Sequence, residues 1–410
     1  MEYKRNLMDL IQMALEASPI LLLTGARQTG KTTIIRDLAE AKGFKYISFD
    51  DLNFLAAARQ DPMGFLNNLP RPLILDEIQR VPEIALAIKY DVDKSNLLGQ
   101  FALTGSANPL MLPKLNDSLA GRMMILNLWP LSKGELLNHK ETFLDTIFQK
   151  NWKPSASYEI WTHDDMLNSL ITGGYPRVQK MKPAMRQEWF NSYLTTILER
   201  DVQDISNISR VKELPILMQL LANRTSNLLN VADVSTAARI PYATLTSYLS
   251  ILEALFLIIR QPAWYVNRNK RLTKSPKIYL TDTGVLSYLL GATQETLVRN
   301  TTLLGQILEN FIVQEVRKQT TWSQFRVKLF HFRTQSGTEV DLVLEDMAGN
   351  IVGIEIKSSS TIRSDDFKGL KVLAEEAQKS FVRGIILYPG TEAVAFEHNM
   401  IALPISALWT

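Results

Sequence analysis

Gly25-Ala26-Arg27-Gln28-Thr29-Gly30-Lys31-Thr32 carries the spacing G-x-x-x-x-G-K-[ST]. Glycines at both ends let backbone N–H groups curl around phosphate oxygens, and a following helix adds the positive end of its dipole. With that geometry Lys31 reaches the β- and γ-phosphates, and the Thr32 hydroxyl ligates Mg²⁺. Gly25 through Thr33 are therefore the candidate ATP-contacting residues. A second element, Leu73-Ile74-Leu75-Asp76-Glu77, is an apolar run ending in two carboxylates. Buried carboxylates are costly unless a cation or a reaction uses them. Asp76 is expected in the Mg²⁺ shell and Glu77 as the base that polarises the attacking water.

Two further positions belong to the same chemistry. The run Phe101–Thr104 ends in Gly105-Ser106-Ala107-Asn108, and a strand tip there would aim polar groups at the γ-phosphate. Either Ser106 or Asn108 could hold the lytic water, while Ser106 could equally cap the next helix. Arg122 directly precedes an apolar run and could reach a neighbouring subunit's nucleotide, or could form a structural salt bridge.

A separate constellation lies in the last third. Asp341 closes Gly337-Thr338-Glu339-Val340-Asp341, and Glu355 and Lys357 alternate with Ile354 and Ile356 on one strand face. A hairpin would bring Asp341 beside them, so that two carboxylates bind Mg²⁺ and the lysine activates water. Glu309, on the amphipathic stretch Leu303–Lys318, could complete that shell. Exposed alternating charge on a hairpin is the competing reading.

These groups need elements to position them. Continuous apolar runs at Ile20–Thr24, Lys45–Phe49, Leu73–Asp76, Phe101–Thr104 and Met123–Leu128 predict a parallel sheet covered on both faces. Residues 1–131 then form an α/β domain with a doubly wound sheet. Residues 132–205 read as helical, including Trp189–Val202, interrupted by Thr172-Gly173-Gly174-Tyr175-Pro176. Residues 206–277 read as helix, turn, helix and basic hairpin: Val231–Ala238 capped by Asn230, Tyr242–Ala254, then a strand Leu255–Arg260. That is the layout of a winged helix-turn-helix. Tyr242, Thr244 and Thr246 would meet base edges, and Arg268, Lys270, Arg271, Lys274 and Lys277 would meet phosphates. A winged domain used for protein packing is the alternative. Residues 278–410 return to α/β, with strands at Glu339–Leu344, Ile351–Lys357 and Val382–Tyr388.

The ATPase-like features, with Leu-Ala-Gly-Arg at 119–122, Trp-Pro-Leu-Ser at 129–132 and Gly-Gly-Tyr-Pro at 173–176, resemble the AAA-type P-loop ATPases. More narrowly they resemble a prokaryotic group that joins such a domain to a C-terminal domain historically labelled of unknown function. The resemblance implies an ATPase with a helical lid, with Gly174-Tyr175-Pro176 near the nucleotide and Arg177 or Arg200 contacting phosphate. The tail resembles the nuclease fold named for its Pro-Asp, Asp/Glu-x-Lys pattern, with Val340 in place of the proline. Cleavage and a catalytically inactive binding module both remain open.

Composition bounds the rest. The chain has 410 residues, 46% apolar and 21% charged, with no cysteine and four histidines. Thiolate metal sites, iron–sulfur clusters and cysteine nucleophiles are excluded, so the credible metal ligands are Thr32, Asp76, Glu309, Asp341 and Glu355. The net charge of +3 divides into +7 for residues 206–277 and −4 for the remainder. DNA is the expected partner, with a homo-oligomer if Arg122 acts across subunits. The alternatives are a nucleotide-gated regulatory switch that binds a protein partner, and a motor that remodels protein. The apolar runs are too short to cross a bilayer, and Glu2, Asp9 and Glu16 break the N-terminal ones. No membrane association is expected, and the chain reads as cytoplasmic.

Overall fold

The computed structural model describes residues 3–106, 117–202 and 211–410, without the side chains of 200, 201 and 211. It divides into two compact units, one of residues 1–131 with 251–257 and one of 132–250 with 258–410.

The first unit is built on five parallel strands: β1 (Ile20–Thr24), β2 (Lys45–Ser48), β3 (Leu73–Asp76), β4 (Phe101–Gly105) and β5 (Met123–Asn127). Their order is β2-β3-β4-β1-β5, so β4 lies between the strand carrying Asp76 and the strand feeding the glycine-rich loop. Strands β1, β3 and β4 are buried along their whole length, as their unbroken apolar runs require. Helices Lys31–Lys42 and Met8–Ala17 pack on one face around Leu21, Leu23 and Ile74, while Ile84–Ser95 covers the other around Leu75, Phe101 and Leu103.

Helix Tyr242–Ala254 has its expected bounds, but the strand after it starts later than expected. Phe256 N–H donates to Glu253 O and Leu257 N–H to Leu252 O, with Phe256 at φ +58°. These paired bonds form a Schellman-type stop with a phenylalanine in the left-handed position usually given to glycine. Without a glycine to mark the stop, the strand was expected from Leu255; β6 is Ile258–Gln261. Similarly, helix Pro183–Thr196 passes into a π-helical turn at Ile197–Asp201 instead of forming one helix over Trp189–Val202.

In the second unit, β6 pairs antiparallel with β7 (Lys277–Leu280). The basic connection of this hairpin forms a short helix, Arg268–Thr273, capped by Asn267. A six-stranded mixed sheet holds β8 (Val327–Arg333), β9 (Glu339–Asp346), β10 (Ile351–Ile356), β11 (Phe381–Tyr388), β12 (Val394–Glu397) and β13 (Met400–Pro404). Its order is β12-β13-β11-β10-β9-β8. Helix Lys368–Ala377 buries Leu370 and Leu373 against Val340 and Ile386. Between the pairs Phe330–Val343 and Phe332–Val340 the register slips, so His331 faces both Asp341 and Leu342. A bulge of this kind re-aims one side chain, here Asp341. Among the described residues, no helix is long and apolar enough to cross a membrane.

Candidate functional site

The glycine-rich loop leaves β1 at Gly25, where φ is +146° and an added Cβ would sit 2.2 Å from the Leu128 carbonyl oxygen. Gly30, at φ +100°, starts helix Lys31–Lys42 without a side-chain cap. The buried Lys31 ammonium lies over the loop, donating to the carbonyls of Gly25 at 2.9 Å and Ala26 at 2.8 Å. Thr29 Oγ1 donates to Ala26 O at 2.9 Å and fixes the turn. Gln28 takes a left-handed conformation at φ +61°, and Thr33 points to solvent.

Asp76 sits at the end of β3 with its carboxylate surrounded by hydroxyls. Thr32 Oγ1 donates to Oδ2 at 3.3 Å, Tyr46 O–H to the same oxygen at 2.6 Å, and Thr104 Oγ1 to Oδ1. Burial beside the Asp76 charge pushes the Tyr46 phenol up to about 12, which keeps it a donor. The Thr32 hydroxyl and Asp76 carboxylate are the oxygen pair a hard cation takes, so this end of the loop fits Mg²⁺. The next residue, Glu77, adopts φ +59°, turning its side chain off the strand line. Its N–H donates to Thr104 Oγ1 at 3.2 Å, and Gln79 Nε2 donates both to its carboxylate and, at 3.1 Å, to Ser106 Oγ. Ser106 is thus joined to Glu77 through one amide.

Thr104, Tyr46 and Gln79 were not singled out from sequence. The legible signal was Thr104, a lone hydroxyl in an apolar strand beside the Asp76 strand. Arg5 was missed as well: its guanidinium donates to Thr29 O and Trp129 O, each at 2.7 Å, tying the loop to the chain leaving β5. On the same Trp129, Phe256 packs edge-on with ring centroids 5.6 Å apart. Arg122 forms an exposed two-point pair with Asp93, at 2.5 and 3.0 Å, the salt-bridge alternative of its two expected roles. Asn108 and the Arg200 side chain lie outside the described residues.

The Gly-Gly-Tyr-Pro segment is built into the second unit. Gly174 N–H donates to buried Asp282 at 2.6 Å, and Tyr175, fully buried, shares a 2.6 Å hydrogen bond with Tyr193. An added Cβ on Gly173 would meet the Asp282 carboxylate at 2.2 Å. Arg177 is exposed.

The C-terminal constellation gathers around a lysine. Lys277, 2% exposed at the start of β7, donates to Glu309 Oε1 at 2.9 Å and lies 3.2 Å from Asp341 Oδ1. Tyr279 O–H also donates to Glu309 Oε1, at 2.7 Å, and Ile356 N–H donates to Asp341 Oδ2 at 3.0 Å. Glu355 pairs with Lys357 at 3.1 Å, and its Oε2 is buried without a hydrogen-bond partner. Burial and the neighbouring Asp341 charge push the Glu309 carboxyl up to about 8. Burial and Asp341 likewise raise Glu355 well above the ordinary carboxylate range. Burial opposes the Lys277 charge, yet the fields of Tyr279, Asp341 and Glu309 overcome it and hold the ammonium well above its ordinary value.

The position between Glu309 and Asp341 is taken by the Lys277 ammonium, so Glu309 does not complete a Mg²⁺ shell there. The expectation for Lys277 is also corrected, since a buried ion-pair centre cannot meet DNA phosphates. Arg271 is corrected for the same reason: it pairs with Glu345 and stacks over Trp264 and Phe330. Arg268, Lys270 and Lys274 remain exposed.

Residues 17–137, containing the loop, Asp76 and Glu77, match the family model described as AAA domain. The first unit therefore carries an AAA-type P-loop domain. Residues 163–296 and 304–408 match two models each described as a domain of unknown function, DUF8612 and DUF4143. An uncharacterised protein of Mycobacterium tuberculosis is 27% identical over 99% of this chain and 85% of its own length. One from Methanocaldococcus jannaschii is 25% identical over 75% of this chain and 69% of its own length. Among solved structures, a Walker-type ATPase of Pyrococcus abyssi is 16% identical with a TM-score of 0.40, covering 69% of this chain and 94% of that one.

Proposed function

We propose that the protein binds and hydrolyses ATP and uses its nucleotide state to control DNA contact by the rest of the chain. The observation that carries the ATPase reading is the convergence of Lys31, Thr32, Asp76 and the Glu77–Gln79–Ser106 chain at the C-terminal ends of β1, β3 and β4. Lys31, which lies over the loop carbonyls, would contact the β- and γ-phosphates. Thr32 and Asp76 would hold Mg²⁺, which would supply charge neutralisation at the phosphates. Glu77 orients the attacking water and takes its proton, while Gln79 holds the carboxylate and links it to Ser106.

Steady-state phosphate release tests this reading. Lys31→Ala is expected to abolish nucleotide binding. Glu77→Gln is expected to retain binding and lose turnover by about 10²-fold or more, the scale of a positioned general base. Unchanged turnover in Glu77→Gln would reject Glu77 as the base.

The C-terminal domain acts, in this reading, as a binding module that does not cut. Lys277 between Glu309 and Asp341 favours that alternative over a metal-dependent nuclease. Plasmid and branched DNA incubated with Mg²⁺, with and without ATP, are expected to stay intact. Cutting by the wild type that disappears in Asp341→Ala would restore the nuclease reading.

A further inference from the structure

Residues 150–154, β11 and the turn between β12 and β13 line an open pocket of about 870 Å³ within the second unit. That volume lies in the range of about 300–1,000 Å³ usual for small-molecule sites. At its wall stands Arg383, 9% exposed, from strand β11. Its guanidinium donates to the Gln149 carbonyl at 2.6 Å and lies 4.6 Å from the centre of the Trp152 ring. Its Nε is buried without a hydrogen-bond partner, and no carboxylate of the described residues lies within ion-pair distance. Burial alone accordingly pulls its pKa down, with no compensating charge.

A buried guanidinium lacking a counter-charge is expensive, and structures keep such groups where an anion arrives. The cavity's other charges point the same way. Lys150, Lys153 and Lys379 line it, whereas Glu397 is already paired with Lys371 at 2.6 Å. Planar chemistry accompanies the charge: Trp152 is half-buried, and Asn151 and Asn399 line the same space. Phosphate oxygens suit the lysines and guanidinium, and an aromatic base suits an indole and amide groups. An acidic peptide would use the charges but leave the indole and amides without a role.

We infer that this cavity binds a nucleotide unit, free or within a single nucleic-acid strand, with phosphate on Arg383 and the lysine rim and the base beside Trp152. It is separate from the phosphate loop and does not depend on the ATPase reading.

Full-length protein in the Lys31→Ala background keeps the phosphate loop from contributing to the signal. A fluorescein-labelled hexathymidylate is titrated and followed by anisotropy, with unlabelled hexathymidylate, thymidine monophosphate and a hexaglutamate peptide as competitors. Reversing Lys153 and Lys379 to Glu is expected to weaken binding at least about tenfold without moving the melting temperature, since both side chains are exposed. Arg383→Gln should weaken it comparably, with a melting curve to verify its fold. Competition by the monophosphate identifies a free nucleotide as a ligand, and competition by unlabelled strand alone identifies nucleic acid; either supports the site. The assignment is overturned if the lysine reversals leave affinity unchanged, if Lys270→Glu with Lys274→Glu removes all binding instead, or if hexaglutamate competes as well as the strand.

Discussion

Asp76 and Lys277 are both buried charges, and their surroundings separate their roles. Asp76 is met by neutral hydroxyls from Thr32, Tyr46 and Thr104, which solvate it and leave its charge available to a cation. Lys277 is met by carboxylates, so its charge is used up inside the fold. Removing one partner from a buried pair strands the other, at a cost of about 3–5 kcal/mol. Lys277→Met is expected to lose stability on that scale in urea denaturation, and a loss below about 1 kcal/mol would contradict the ion-pair assignment. His331 supplies a pH signature nearby. Burial pulls its pKa down to about 4, and its Nε2 lies 3.2 Å from the Ser275 carbonyl, which fixes that nitrogen as the donor. The unfolded histidine binds a proton below about 6.5. Stability is therefore retained above that value and lost as pH falls toward 4, by roughly 3 kcal/mol in all. His331→Gln should show a flatter stability profile between pH 6.5 and 4 than the wild type. Sequence spacing revealed Asp341, Glu355 and Lys357, but nothing in it showed that Lys277, far upstream, would reach them, because that depends on β7 lying beside helix Thr301–Gln319.

At the scale of elements, the loop is held from two sides. Gly25 brings the β1 exit against the Leu128 carbonyl, and Arg5 ties Thr29 to Trp129. Strand β5 thus sets the height at which the loop meets phosphate. Gly25→Ala would drive a methyl group into that carbonyl and require a φ that L-residues seldom adopt. The expected result is a destabilisation of at least about 2 kcal/mol, with nucleotide binding lost, checked by thermal melting and calorimetric titration. The five strands were readable because parallel strands buried on both faces leave unbroken apolar runs. The start of β6 and the break within Trp189–Val202 were not, since Phe256 takes a glycine-like backbone and a π-helical turn follows Thr196 with no residue signature. The short helix Arg268–Thr273 escaped notice for another reason: its only apolar residue is the exposed Leu272, so it has no apolar face to show a period.

Over the whole molecule, the +7 stretch was the clearest nucleic-acid signal in a chain with a net charge of only +3. Folding changes how much of that charge can act. Of the five basic residues from Arg268 to Lys277, Arg271 is held by Glu345 and Lys277 by Glu309 and Asp341, leaving Arg268, Lys270 and Lys274 exposed. The two counts predict different salt dependence for duplex binding. Each phosphate contact contributes about −0.9 to the slope of log affinity against log salt, so five contacts give about −4.5 and three about −2.7. Between about 50 and 200 mM salt that is roughly 500-fold against 40-fold weakening. The measurement belongs in the Lys153→Glu/Lys379→Glu background, where the proposed nucleotide cavity adds nothing. A slope near −2.7, falling by about one on Lys270→Ala, is expected. A slope near −4.5 would mean that Arg271 and Lys277 leave their carboxylates to reach DNA, and a slope near zero would remove the exposed basic helix from DNA binding altogether.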